Sequence, residues 1–120
     1  MSEPKAQVIQ VTLTFGVVRQ GAPFGRDDFH GFGEHVMREL LALEWCNADI
    51  TDADVSTDAA TSTIAVGVLV ATGDNALAYR RAFDVIRTAL HATAAATPGW
   101  PTVEDTVTPQ TVAMTRTVLV

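Results

Sequence analysis

The segment that most constrains the fold is 63–71, which alternates between two sets of side chains, both apolar or small. One set is Ile64, Val66, Val68 and Val70, and the other is Ala65, Gly67, Leu69 and Ala71. A strand exposed on one face normally alternates apolar with polar residues, whereas a strand covered on both faces does not. The segment therefore predicts a central strand, or a strand whose second face is covered by something else.

Three other segments are predicted as strands. Residues 7–18 alternate, with Ile9, Val11, Leu13, Phe15 and Val17 in one set and Val8, Gln10, Thr12, Thr14 and Gly16 in the other. Residues 49–57 alternate weakly because Ile50 and Val55 fall out of phase, which predicts a β-bulge or an edge strand with one wet face. Residues 111–119 form the last predicted strand. Residues 103–108 fit either a further short strand or a loop.

Apolar residues at three- and four-residue spacing predict helices over 28–44 and 74–95. Pro98 and Pro101 end the second helix, since proline cannot continue one. Gly31 and Gly33 are unexpected in the first helix, because each costs about 1 kcal/mol relative to alanine. Either the helix begins later, near Glu34, which propensity favours, or something packs close to this turn, and the sharper form of that hypothesis is a ligand or a partner chain.

The order strand, helix, strand, strand, helix, strand resembles the ferredoxin-like split βαβ fold. The prediction is one α+β domain over residues 1–120. Its four-stranded antiparallel sheet has the spatial order 4-1-3-2, and both helices cover one face. This topology hosts many functions and implies no chemistry by itself.

Charge and composition exclude several classes of function. The formal net charge is −6, and Lys5 is the one lysine. Nucleic acids and anionic membranes bind clustered basic residues, so neither is an expected partner. No apolar run is long enough to span a bilayer and the first residues lack an apolar signal core, which favours a cytoplasmic location. Cys46 is the single cysteine; it cannot form an internal disulfide, and we expect a buried, unreactive thiol.

His30, Glu34 and His35 form the densest group of acid–base residues and are the candidate catalytic residues. His30 and Glu34 lie one turn apart on the same helix face, while His35 points about 100° away from Glu34. An ordinary solvated helix face is the favoured interpretation, because a His/Glu pair at this spacing is common on such faces. No metal or cofactor is expected, because the segment after Asp52 resembles the start of a calcium loop but lacks its glycine and final glutamate.

The most distinctive segment is 97–101, Thr-Pro-Gly-Trp-Pro. Together with residues 52–56 and 86–92, it is similar to small uncharacterised proteins of high-GC bacteria. That resemblance implies no known activity and transfers no site residue. Trp100 itself is expected to close one end of the core or to contribute to an interface.

With both helices on one face, the other sheet face is left for solvent, a ligand or a second subunit. The predicted ligand or interface residues are Thr12, Thr14, Gly67, Leu69 and Trp100. The sequence thus favours a non-enzymatic module that homodimerises through its sheet face or edge strands. The alternative is a dimeric α+β barrel, a small enzyme or small-molecule-binding protein whose two sheets enclose a pocket, with His30, His35 or Trp100 near its mouth.

Overall fold

The computed structural model describes residues 7–16, 26–96 and 111–118. The elements follow the predicted order. They are β1 (Gln7–Gly16), α1 (Arg26–Cys46), β2 (Ile50–Asp58), β3 (Thr63–Val70), α2 (Asn75–Ala96) and β4 (Thr111–Val118). The α+β fold is therefore confirmed. Segment 103–108 and Trp100 lie outside the described residues.

The four strands form one antiparallel sheet with the order β2-β3-β1-β4. This is the predicted order 4-1-3-2 read from the opposite edge. β3 is central, as its two apolar faces predicted, and it pairs with β1 and β2. The pairs β1–β3 and β1–β4 run without a register shift, so Thr12 stands opposite both Gly67 and Ala113.

The core lies between the sheet and the two helices. Alternate residues of β1 and β3 are fully buried on the helix side, among them Val11, Leu13, Val66 and Val68. Helix residues at three- and four-residue spacing meet them. These are Phe32, Val36 and Leu40 from α1, and Ala82, Ile86 and Ala89 from α2. Each large apolar side chain buried in this way contributes about 1.5–3 kcal/mol.

A β-bulge interrupts β2, as the weak alternation predicted. The register with β3 shifts between Thr51 and Asp54, and Asp52 has a φ of 52°. Glu44 of α1 closes the bulge, because its Oε1 accepts a hydrogen bond of 2.8 Å from the Ala53 backbone N–H. The bulge is thus held by a side chain from another element.

Helix α1 begins at Arg26, so the expectation of a start near Glu34 is wrong. Both glycines lie inside the helix. A Cβ at Gly31 would meet no neighbour, whereas one at Gly33 would lie 2.5 Å from Thr57 Cγ2. The second explanation therefore holds at Gly33, and the element packed against it is β2. Cys46, the last residue of α1, is exposed, which contradicts the expectation of a buried thiol.

Arg81 of α2 joins the second helix to the loop between α1 and β2. Its Nε and Nη2 donate to the two carboxylate oxygens of Asp49 at 2.8 and 2.9 Å, and Nη2 also donates to Asn47 Oδ1. These hydrogen bonds hold the pKa of the Asp49 carboxyl below its usual value, while partial burial opposes the shift.

Candidate functional site

The open face of the sheet is free of charge over three of its four strands, whereas β2 places Asp54 and Asp58 on it. Across β3, β1 and the described side chains of β4, its residues are small or uncharged. They are Val8, Gln10, Thr12, Thr14, Thr63, Ala65, Gly67, Leu69, Thr111, Ala113 and Thr115. Thr12 lies so close to Gly67 that a Cβ there would be 3.2 Å from the Thr12 hydroxyl oxygen. A face of this kind lets another layer approach closely.

The two edges of the sheet differ sharply. β2 carries Asp52, Asp54 and Asp58 as well as the bulge. Charges and bulges are the usual means by which an edge strand is protected from pairing with another strand. β4 has one charged residue in its sequence, no proline or glycine, and an unbroken register with β1. Among the described strands it pairs with β1 alone, so its other edge has no strand partner there.

Two exposed apolar side chains make β4 more unusual. Val112 and Met114 stand opposite Leu13 and Val11, which places them on the helix side of the sheet. Their partners on β1 are fully buried, yet Val112 is 44% and Met114 is 36% exposed. The helices pack mainly on β1, β2 and β3. The apolar layer of the core thus continues onto β4, where it is partly exposed to solvent.

Two of the three predicted acid–base residues meet β2 in a groove of about 360 Å³. We call it the His30 groove, lined by His30, Gly33, Glu34, Met37, Val55 and Thr57. His30 Nδ1 shares a hydrogen bond with the Thr57 hydroxyl. His30 and Glu34 are therefore brought together, whereas His35 does not line this groove.

The groove offers hydrogen-bonding groups beside an apolar floor, and it opens to solvent. Such an arrangement suits binding more readily than a reaction that needs water excluded. Among the described residues, no three His, Cys, Asp or Glu side chains are grouped so as to hold a metal ion. Within the same residues, neither helix is long and apolar enough to cross a membrane.

A second groove continues along the same side of α1. This Trp45 groove has a volume of about 520 Å³ and is lined by Leu41, Glu44, Trp45, Ala48, Ile50 and Thr51. Trp45 is 92% exposed and Leu41 is 45% exposed. Sequence reasoning missed this pair. The signal was available, because Leu41 and Trp45 are one turn apart and lie off the apolar stripe that faces the core.

A third groove lies on α2 between Asp84, Arg87, Thr88 and His91. His91 Nε2 is buried and has no hydrogen-bond partner within the described part of the chain. Most buried polar atoms are paired, so this atom is an exception.

Comparison with known proteins supplies a likeness of fold and no activity. No protein-family model matches the chain, and no curated protein matches it significantly. Among solved structures, the chain is similar to a dimeric ferredoxin-like protein of unknown function from Thermobifida fusca YX. The two are 16% identical, with a TM-score of 0.45, over 99% of this chain and 96% of that one.

Proposed function

We propose that this protein is a non-enzymatic interaction module that works as a homodimer joined through the free edge of β4. The observation that carries the proposal is the combination found on that strand. It is an edge with no strand partner among the described residues, in unbroken register with β1, and it lies beside the exposed side chains of Val112 and Met114.

An edge strand presents a row of backbone N–H and C=O groups that can pair with another chain. Two copies related by a two-fold axis present the same surface to each other, so their β4 strands pair antiparallel. The two sheets then become one continuous sheet. The exposed side chains of Val112 and Met114 in the two copies then meet beside the axis. Burying their apolar surface stabilises the dimer by about 25 cal/mol per Å².

The opposite edge does not suit self-association. Pairing two copies of β2 would bring Asp54 and Asp58 of one copy close to the same residues of the other, and like charges facing each other across strands are destabilising. The bulge would also interrupt the new ladder of hydrogen bonds. β2 therefore remains available for other contacts.

A second arrangement draws support from the open sheet face. Because that face carries no charge over three strands, two sheets could instead pack face to face, about 10 Å apart, and enclose a small-molecule pocket. Thr12, Thr14, Gly67 and Leu69 would then line the interface. Ala65 separates the two arrangements, since it lies on this face, two strands away from the free edge of β4.

The experiment is the native mass of the protein, measured by light scattering during size-exclusion chromatography. Because Cys46 is exposed, reducing agent is needed to exclude an intermolecular disulfide. The wild type is expected at twice 12.8 kDa. Val112→Lys is expected to be a folded monomer, because an inward-pointing charge protects an edge strand. Leu77→Lys is the matched control, since Leu77 is 42% exposed on α2, and it should remain dimeric.

Ala65→Lys should also remain dimeric if β4 forms the interface. A monomeric wild type would overturn the proposal. A dimer that survives Val112→Lys but is lost in Ala65→Lys would assign the interface to the sheet face instead. Circular dichroism of each variant establishes that a change of mass does not come from unfolding.

A further inference from the structure

The His30 groove and the Trp45 groove follow one face of α1 and share β2 as their other wall. We propose that together, as the α1–β2 groove, they form a docking site for a basic amphipathic helix of a partner protein. This site goes beyond the proposed dimer, because β2 and β4 lie at opposite edges of the sheet.

The floor of the α1–β2 groove is apolar. Met37, Leu41 and Trp45 come from α1, and Ile50 and Val55 come from β2. Trp45 is the side chain least explained by the fold, since it is 92% exposed. Tryptophan, tyrosine and arginine are enriched among the residues that contribute most of the binding energy of protein interfaces. The partner must therefore bring apolar side chains.

The charge of the groove indicates that the partner must also be basic. The sequences of α1 and β2 contain eight carboxylates and two arginines, a net charge of −6. The whole chain has the same formal charge of −6, so its remaining residues are balanced. Asp54 and Asp58 lie on the open face of the sheet, because their partners on β3 lie on that face. Glu34 and Glu44 line the α1–β2 groove itself, whose described lining contains no lysine or arginine, so the lining is acidic. A basic segment complements it, and electrostatic complementarity favours both encounter and specificity.

The shape of the groove favours a helix over an added strand. The bulge between Thr51 and Asp54 and the positive φ of Asp52 interrupt the edge along which a strand would pair. The lining of α1 from His30 to Trp45 extends over about 22 Å, the length of a helix of about 15 residues. Such a helix would place apolar residues one turn apart along the floor and lysines or arginines beside Glu34 and Glu44.

The test uses a fluorescein-labelled peptide of about 15 residues, with leucines at helical spacing and lysines at the remaining positions. Its matched control has glutamate in place of each lysine. Fluorescence anisotropy is expected to show binding of the lysine peptide alone. Trp45→Ala should weaken that binding at least about tenfold, whereas Leu77→Ala, which removes an exposed leucine from α2, should leave it unchanged.

A second pair of variants tests the role of charge. Glu34→Gln, at the rim of the groove, should weaken the lysine peptide, and Asp84→Asn on α2 should not. Monomeric Val112→Lys protein should bind as the wild type does, because the groove is remote from β4. Equal binding by wild type and Trp45→Ala, equal binding of the two peptides, or no binding of either would overturn the proposal. Since Trp45 is almost fully exposed, its replacement should leave the melting temperature nearly unchanged, which separates lost binding from lost folding.

Discussion

Gly33 of α1 lies directly against Thr57 of β2, so that a Cβ on the glycine would fall 2.5 Å from the threonine Cγ2. Thr57 is not free to turn away without loss, because its hydroxyl shares a hydrogen bond with His30, one turn earlier in the helix. A glycine in the middle of a helix is thus explained by the close approach of a strand. The contact sets the distance between α1 and the edge of the sheet.

This relationship predicts opposite effects for two similar substitutions. Gly33→Ala should lower the free energy of unfolding by about 1–3 kcal/mol, because overpacking outweighs the gain in helix propensity. Gly31→Ala should raise it by about 0.5–1 kcal/mol, since a Cβ there meets no neighbour. Urea denaturation of both variants checks this. A stabilised Gly33→Ala protein would contradict the close packing.

Residue patterns predicted the fold because each strand and helix carries its own period. The two apolar faces of 63–71 gave a central strand, and the phase slip between Ile50 and Val55 gave the bulge at an edge. The predicted range 28–44 lies inside α1, but propensity favoured an alternative start near Glu34, because it counts the cost of Gly31 and Gly33 within the helix and not the approach of Thr57 from a distant strand. That contact joins residues 24 positions apart, and the periodicity of either segment cannot predict it.

The candidate site was less predictable for a related reason. The turn spacing of His30 and Glu34 placed them together, but their partner Thr57 comes from β2. Trp45 was not predicted, because the apolar stripe of α1 identifies only the helix face that packs on the core, and Trp45 lies on another face. The exposure of Val112 and Met114 depends on where the helices pack, and the alternation of 111–119 gives their face of the strand without saying whether it is covered.

The ion pair between Arg81 and Asp49 should stabilise the protein modestly. Its two direct hydrogen bonds are well formed, but both side chains are about a third exposed, so screening by solvent limits the contribution to about 0.5–1 kcal/mol. Arg81→Met is expected to lose about that amount, and less in high salt. A double-mutant cycle with Asp49→Asn measures the coupling; a value of zero would show that the pair is structurally present but energetically neutral.

The same pair predicts a dependence on pH. The folded-state pKa of Asp49 lies below its ordinary value of 3.8, since Arg81 stabilises the carboxylate. The contribution is therefore complete above that ordinary value and is lost as the pH falls through the lowered folded-state pKa. Stability curves of wild type and Asp49→Asn should differ near neutrality and converge in acid. Curves that stay parallel down to strong acid would contradict this assignment.

Substitutions at Asp52 and Glu44 should change the stability of the protein through the bulge in β2. Asp52 has a positive φ, which glycine adopts without strain and a β-branched residue does not. Asp52→Gly should therefore leave stability nearly unchanged, and Asp52→Val should lose about 1–3 kcal/mol. Glu44→Ala removes the acceptor of the Ala53 N–H and should lose about 1–2 kcal/mol. Thermal melts of the three variants provide the comparison, and an unaffected Asp52→Val protein would exclude a constrained bulge.

The last prediction concerns His91, where a substitution is expected to maintain or raise the stability of the fold. Its Nε2 is buried without a hydrogen-bond partner among the described residues, and an unpaired buried polar group costs about 1–3 kcal/mol. His91→Phe keeps an aromatic ring and removes that atom, so it should match or exceed the wild type in stability. His91→Gln is the matched polar control and should gain nothing, since it retains a polar group in the same place. Urea denaturation at neutral pH distinguishes them, and a His91→Phe protein less stable than His91→Gln would show that the imidazole makes a favourable interaction.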